Sequence, residues 1–297
     1  MSKKRIAIVG YGNLGRHAIQ AVNQAPDMEV AGIIRREAAC REIDGIPVAA
    51  RIRELGQVDA ALLCVPTLKV RETAEAYLKN GIATVDSFDI HGQAVWDTKS
   101  ALKDWAEQGK TAAVTAAGWD PGIDSVLRAA FKVAVPVGIT YTNYGPGMSM
   151  GHSVAARSAA GVEDAISVTY PLGSGQHRRL VYAKLAQGAD AQAVQDEIAR
   201  MDYFKNDPLV FQVVDSLDDV RDCGHGMVME RKGIAGSMHN QQLSCTFRIN
   251  NPAVTTQIMV MAARAALRQR PGAYTMLEIP PCDFFAEPLE TLVKTLV

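Results

Sequence analysis

The segment from Lys4 to Arg16, KRIAIVGYGNLGR, constrains this chain more than any other. Arg5 to Gly10 is a short apolar run without strict alternation, the pattern of a strand buried on both faces. Asn13 to Gln24 follows with Leu14, Ala18, Ile19 and Val22 on one side of a helix that stops before Pro26. Between strand and helix stands Gly10-Tyr11-Gly12-Asn13-Leu14-Gly15, a G-x-G-x-x-G. In that setting the glycines permit, in turn, a tight turn, close backbone approach to a pyrophosphate, and strand–helix packing. The phosphates belong at the helix N-terminus near Asn13, where unpaired N–H groups and the helix dipole favour anions. Residues 10–15 are therefore expected to contact a dinucleotide.

The alternation continues to residue 120. Strands are expected over 28–34, 59–67, 83–88 and 110–120, with helices over 68–80 and 95–108 and Gly81 as a left-handed helix stop. Strands alternating with helices predict an α/β domain with a doubly wound parallel sheet of Rossmann type. At the end of the second strand, where an NAD site places a carboxylate on the ribose, stand Ile34-Arg35-Arg36. A guanidinium fork matches a 2′-phosphate that a carboxylate would repel, so the cofactor expected is NADP(H). The alternative is a solvated arginine pair with Glu37 on the ribose.

Past residue 120 the pattern changes. Strands are expected at 138–147, 165–171, 177–185, 209–216, 226–233 and 242–250, interrupted by one clear helix, Ala191 to Met201. The stretch 230–240 reads as a hairpin connection. This is a second, α+β domain with a mostly antiparallel sheet. A long helix from Pro252 to Arg270 and a strand at 274–280 are expected to pack back on the first domain. The domains are then 1–120, completed by 252–297, and 121–251.

Composition narrows the classes of partner. The chain has 297 residues and a formal net charge of -1, which gives no reason to expect nucleic acid or an anionic membrane. No apolar run is long enough for a membrane span, and the N-terminal apolar run ends in the glycine motif rather than a cleavage site. Cys40, Cys64, Cys223, Cys245 and Cys282 are scattered, which suits reduced packing thiols in a cytoplasmic protein. The six histidines have no metal spacing, and no metal is expected.

Several polar residues are candidates for a substrate site, most with a plain alternative. Asp86 and Asp89, in VDSFDIH, lie at the carboxyl end of a parallel strand, where such sheets bind ligands. Asp120 precedes Pro121, an arrangement that also suits a helix N-cap, as does Asn251 before Pro252. In HRRLVYAKL, strand alternation puts Arg179 on the face of Val181 and Ala183, where a guanidinium needs an anion that the neighbouring sequence lacks. His225 between two glycines is either a ligand contact or a plain loop histidine. Tyr11, Trp119 and Tyr144 are either site-lining aromatics or core.

IVGYGNLGR, LLCVPT, VDSFDIHG, AGWDPGIDS, YTNYGPGMSMGHS, HGMVMERKG and RINNPA, in this order and spacing, closely resemble the meso-diaminopimelate dehydrogenase family. The resemblance covers essentially the whole chain, and the compact HRRLVYAKL region resembles a subgroup with relaxed substrate range. It implies a homo-oligomer, dimeric or dimer-based, that performs NADP-dependent oxidative deamination of meso-2,6-diaminopimelate at its D-centre. The reverse reductive amination serves lysine and peptidoglycan precursor synthesis. By the same resemblance Arg35 and Arg36 hold the 2′-phosphate, while Cys64, Pro66 and Thr67 line the cofactor. Asp89 and Asp120 are the carboxylates at the D-centre, with Tyr144 beside it. Met150, Gly151, Thr169, Arg179, His225 and Asn251 grip the substrate, chiefly its distal L-centre. On the residues alone, another two-domain NADP oxidoreductase and a non-catalytic NADP(H) sensor stay open.

Overall fold

The computed structural model describes residues 2–35, 41–221 and 224–297. They form two compact units, Met1–Ala129 with Pro252–Val297, and Ala130–Asn251. The first unit opens with β1 (Lys4–Val9), α1 (Asn13–Gln24) and β2 (Met28–Ile34), then a small hairpin of β3 (Glu42–Ile43) and β4 (Ile46–Ala49). β5 (Ala60–Leu63), α2 (Val70–Leu78), β6 (Ala83–Asp86), α3 (Gln93–Gln108) and β7 (Ala112–Val114) continue the alternation. The division between units falls within α4 (Ile123–Ala134). The second unit carries β8 (Val137–Tyr144), β9 (Gly147–Met148), α5 (Met150–Arg157), β10 (Val162–Gly173) and β11 (Gln176–Leu185). It continues with α6 (Ala191–Arg200), β12 (Leu209–Val213), β13 (His225–Ala235) and β14 (Met238–Ile249). The chain ends with α7 (Asn251–Ala266), β15 (Gly272–Tyr274) and α8 (Leu289–Leu296).

The first unit is the doubly wound sheet that the sequence predicts, in the order β15-β7-β6-β5-β1-β2-β4-β3. Pairing is parallel throughout, apart from β3 against β4. Ile6, Ala7, Ile8 and the whole of β5 are buried, as strands covered on both faces must be. The order reverses between β1 and β5, so the crevice at their carboxyl ends is the dinucleotide-binding position of this architecture.

Several expected elements are shorter or different. The strand expected over 110–120 ends at Val114 because the chain turns at Ala116, whose φ is +54°. The one expected over 274–280 ends at Tyr274, since the Thr275–Glu278 capping box diverts the chain into a 3-10 turn. Gly81 is left-handed, with φ +77°, and its N–H bonds to the Leu78 carbonyl at 2.9 Å. The short hairpin β3–β4 has little alternation to read and contains Pro47.

The second unit has a four-stranded sheet, β12-β11-β10-β9, and a three-stranded one, β14-β13-β8. All pairs are antiparallel except β11 with β12. The expectation of a single helix between 120 and 251 is corrected: α4 and α5 are also helical. α5, MGHSVAAR, contains glycine, histidine and serine and is only eight residues long, so propensity and periodicity both speak weakly there. The expected connection at 230–240 is also mostly strand, for the hairpin closes around Gly236 between Ala235 and Met238.

The C-terminal segment is riveted to the sheet by one guanidinium. Arg264 on α7 donates from Nη2 and Nε to the two carboxylate oxygens of Asp27 at 2.6 and 2.7 Å, and from Nη1 to the Phe284 carbonyl at 2.8 Å. This fork joins the turn before β2 to the tail, and its hydrogen bond holds the Asp27 carboxyl below the usual carboxylate range. Arg264→Met is expected to cost about 2 kcal/mol, less than the roughly 3–5 kcal/mol for breaking a fully buried pair, because Asp27 is 35% exposed. Because the folded pKa is depressed, the pair's stabilisation is complete above the unfolded carboxylate value and vanishes as pH falls through the folded one. The thermal-stability gap between wild type and Asp27→Asn should therefore narrow only below about pH 4. A gap constant into strong acid would contradict it.

Candidate active site

The glycine motif is built as its sequence requires. Gly10 has φ +99°, and a Cβ there would lie 2.3 Å from the Cys64 carbonyl oxygen. A Cβ at Gly15 would lie 2.2 Å from the Gly10 carbonyl oxygen. Both glycines are thus demanded by the protein's own packing. Gly12 is different: its φ is −87° and a Cβ would meet no atom within 4 Å. Neither torsion nor packing explains glycine there, whereas room for a phosphate against the backbone does. α1 starts immediately after it with no side-chain cap and no acidic residue in its first turn, leaving its N–H groups to an anion. The residues present fit a dinucleotide.

The flanking groups are held at the same sheet edge. Cys64 donates its N–H to the Val9 carbonyl at 2.8 Å, and burial pushes its thiol up to about 12, so the side chain is a neutral wall. Pro66 and Thr67 follow, Thr67 opening a 3-10 turn. Arg35 is fixed by its N–H to the Ala49 carbonyl at 3.0 Å, at the end of β2. Arg36, Glu37, Cys40 and Cys223 lie outside the described residues. Tyr11 stacks under Arg16 at 5.4 Å, and Asn13 and Leu14 form the first turn of α1.

Three carboxylates stand at or beyond the carboxyl ends of β6 and β7. Asp86, fully buried, accepts on Oδ1 from the Phe88 N–H (3.0 Å), the Thr115 hydroxyl (2.8 Å) and the Ala116 N–H (3.2 Å). Its own carbonyl accepts from the Ala117 N–H at 2.8 Å. Asp86 therefore clamps the turn that carries Asp89 to the turn that leads to Asp120. Asp89 is exposed, and its Oδ1 accepts from the Thr67 hydroxyl at 2.5 Å. Asp120 has a side chain only 10% exposed, with His91 Nε2 at 3.6 Å from Oδ1. The capping alternative for Asp120 is overturned, since α4 begins only at Ile123. Trp119 is core, 3% exposed.

The second unit brings together Tyr144, Thr169, Arg179 and His225. β9 pairs Gly147 with Thr169, and β13 pairs Met227 with Tyr144. Arg179, on the face shared with buried Val181 and Ala183, donates from Nε to Asp207 at 2.6 Å and from Nη1 to Thr169 Oγ1 at 2.5 Å. Asp207 is the anion that Arg179 demands. His225 Nδ1 bonds the Met148 carbonyl; a carbonyl only accepts, so Nδ1 carries the proton and Nε2 is the lone-pair side. Burial first, then the charge of Arg179, lowers the pKa of His225 and of His177, whose Nε2 accepts from the Tyr144 N–H at 2.8 Å. Met150 and Gly151 open α5, and a Cβ on Gly151 would press on the Tyr203 ring at 3.1 Å. Asn251 begins α7.

Sequence reasoning missed His152, His177 and Asp207. His152 bonds Ser149 Oγ at 2.8 Å and meets the rings of Tyr203 and Phe204 edge-on; burial pushes its pKa down to about 4. The one available clue was the uncompensated Arg179, which called for an acid elsewhere. Asp86 itself gives a test. Desolvation raises its pKa to about 6 in spite of three hydrogen bonds, so the native state binds more protons than the unfolded chain between about pH 4 and 6. The stability contributed by Asp86 falls as pH rises through that window. Asp86→Asn removes this dependence, and its thermal stability should gain on wild type from pH 4 to pH 7; a constant difference would contradict the assignment.

Comparison with known proteins agrees with the fold. Residues 4–85 match the oxidoreductase family with an NAD-binding Rossmann fold, and residues 118–175 match the diaminopimelic acid dehydrogenase C-terminal domain. The meso-diaminopimelate D-dehydrogenase of Bacteroides fragilis is 45% identical over the full length of both chains, and that of Ureibacillus thermosphaericus 33% identical over 94% of this chain and 95% of its own. The structure of the Corynebacterium glutamicum diaminopimelate dehydrogenase in complex with diaminopimelate superimposes over 100% of both chains with TM-score 0.89 and 28% identity. An engineered D-amino acid dehydrogenase bound to NADP+ does so with TM-score 0.83 and 27% identity, again over 100% of both chains. The chain belongs to the meso-diaminopimelate D-dehydrogenase family.

Proposed function

We infer that this chain oxidises meso-2,6-diaminopimelate at its D-centre with NADP+, giving L-2-amino-6-oxopimelate and ammonia, in a reversible reaction. The observation that carries the reading is the pair of carboxylate-bearing turns, those of Asp89 and Asp120, clamped together by Asp86 at the edge that also holds the glycine cradle. When bound, the nicotinamide supplies the hydride acceptor. Arg35, with Arg36, takes the 2′-phosphate, and residues 10–15 with Cys64, Pro66 and Thr67 carry the rest of the cofactor.

Asp89 and Asp120 take the ammonium of the D-centre. Departure of an N–H proton and of hydride from carbon leaves an iminium, whose positive charge the two carboxylates stabilise. Water adds to that carbon, ammonia leaves, and the ketone remains; the amino-oxo acid cyclises to tetrahydrodipicolinate. In the second unit Arg179 and Thr169 receive the distal carboxylate, His225, Met150, Gly151 and Asn251 shape the rest of that grip, and Tyr144 is the aromatic at the D-centre. The reading includes a cytoplasmic, dimer-based homo-oligomer, supported by exposed Val133, Val137 and Ile139 on α4 and β8. No helix among the described residues is long and apolar enough to cross a membrane.

The test is NADPH formation followed by absorbance with meso- and LL-diaminopimelate in parallel. Turnover is expected with the meso isomer and not with the LL isomer; no turnover with either would remove the assignment. Asp120→Asn is expected to leave NADP+ affinity near wild type while kcat falls by about 10²–10³, the usual loss when a transition-state stabiliser is neutralised. A folded variant with normal kcat would take Asp120 out of the chemistry.

A further inference from the structure

We propose that Asp207 sets how strictly the enzyme demands a second carboxylate on its substrate. The proposal rests on the reading that Arg179 receives the distal carboxylate. Arg179 is 13% exposed and Asp207 24%, with the Nε–Oδ2 contact at 2.6 Å. The pair is not a chance meeting of surface side chains. The Arg179 N–H donates to the Pro208 carbonyl at 2.8 Å, and β11 runs in register with β12 from Arg179 and Leu209 onward. The Asp207 N–H in turn donates to the carbonyl of Phe204, itself 2% exposed, at 3.1 Å. Sheet pairing and a buried aromatic therefore deliver this carboxylate to this guanidinium.

The consequence is electrostatic. A desolvated guanidinium with no anion of its own would make a distal carboxylate obligatory, because a substrate lacking it would leave a bare buried charge. Asp207 supplies the anion in advance. A substrate without a distal carboxylate then strands nothing, and a substrate with one approaches a neutral pair rather than a cation. Hydrogen-bonding capacity survives: Nε serves Asp207 and one hydrogen of Nη1 serves Thr169, while Nη2 and the other Nη1 hydrogen remain for an incoming carboxylate. The surrounding histidines, His152, His177 and His225, are held neutral chiefly by burial and add no positive charge. Asp207 thus tunes selectivity by lowering both the reward for a distal carboxylate and the penalty for lacking one.

The experiment compares kcat/KM for D-2-aminopimelate and D-2-aminoheptanoate, which differ only in a distal carboxylate against a methyl group. Asp207→Asn keeps an acceptor for Nε and removes the charge. It should raise the ratio in favour of the dicarboxylate by at least about tenfold, the worth of one charge-assisted hydrogen bond. Asp207→Glu, which keeps the charge, should leave the ratio at the wild-type value. Should Asp207→Asn not fold, Asp207→Ser, also neutral, carries the same expectation. An unchanged or lowered ratio in the neutral variants overturns the proposal, as does an equal rise in Asp207→Glu. Arg179→Ala run alongside separates the two levels. Selective loss on the dicarboxylate with no response to Asp207→Asn overturns the proposal alone; equal loss on both substrates overturns the reading of Arg179 and the proposal with it.

Discussion

The carboxyl group of Asp86 is the point on which the first unit's functional edge depends. Parallel strands end in turns, and turns without a fixed partner place side chains loosely. Asp86 sits at the last position of β6 and takes three donors on one oxygen: one from the turn that carries Asp89, two from the turn that leads to Asp120. In a fully buried setting each of those bonds is strong, and each donor would be costly to strand. The same edge receives the Gly10 turn, which approaches the Cys64 carbonyl so closely that no side chain fits. The placement of the turns that carry Asp89 and lead to Asp120 is thus set by Asp86.

Charge is handled differently in the second unit. There a guanidinium is compensated by a carboxylate brought in by strand pairing, and the three histidines around it are kept neutral by burial. The arrangement offers donors and lone pairs with little net charge, which suits a zwitterionic substrate end carrying both an ammonium and a carboxylate. The two units handle charge in opposite ways: exposed or nearly buried anions in one, a neutralised polar cluster in the other.

The alternation of buried strands and amphipathic helices was plain in the sequence because a parallel sheet imposes apolar runs of strand length, and the glycines at 10, 12 and 15 mark backbone constraints local enough to read. The position of Arg35 at the end of β2 was legible for the same reason. Elements whose stability comes from tertiary context were not: α5 has poor helix formers, β7 is cut short by the turn that Asp86 holds, and β3–β4 is too brief for a period. In the site, an apolar face carrying Arg179 announced that an anion was needed but not which one, since Asp207 is 28 residues away and reaches it through sheet register. For Asp120 a helix cap stood as the alternative because Asp-Pro is a local pattern, whereas the start of α4 at Ile123 is set by bonds from Ile123 and Asp124 back to Gly118 and Trp119. Local rules read local constraints; the clamp and the compensating acid are long-range.

The central claim is that hydride leaves the D-configured carbon of meso-diaminopimelate and no other. The direct measurement uses substrate carrying deuterium only at the D-centre α-carbon, with the NADPH and the amino-oxo acid product analysed by mass spectrometry. The account predicts that the deuterium appears on the NADPH and is absent from the amino-oxo acid. Unlabelled NADPH, with deuterium retained in the product, would place the oxidation at the other carbon and contradict the account.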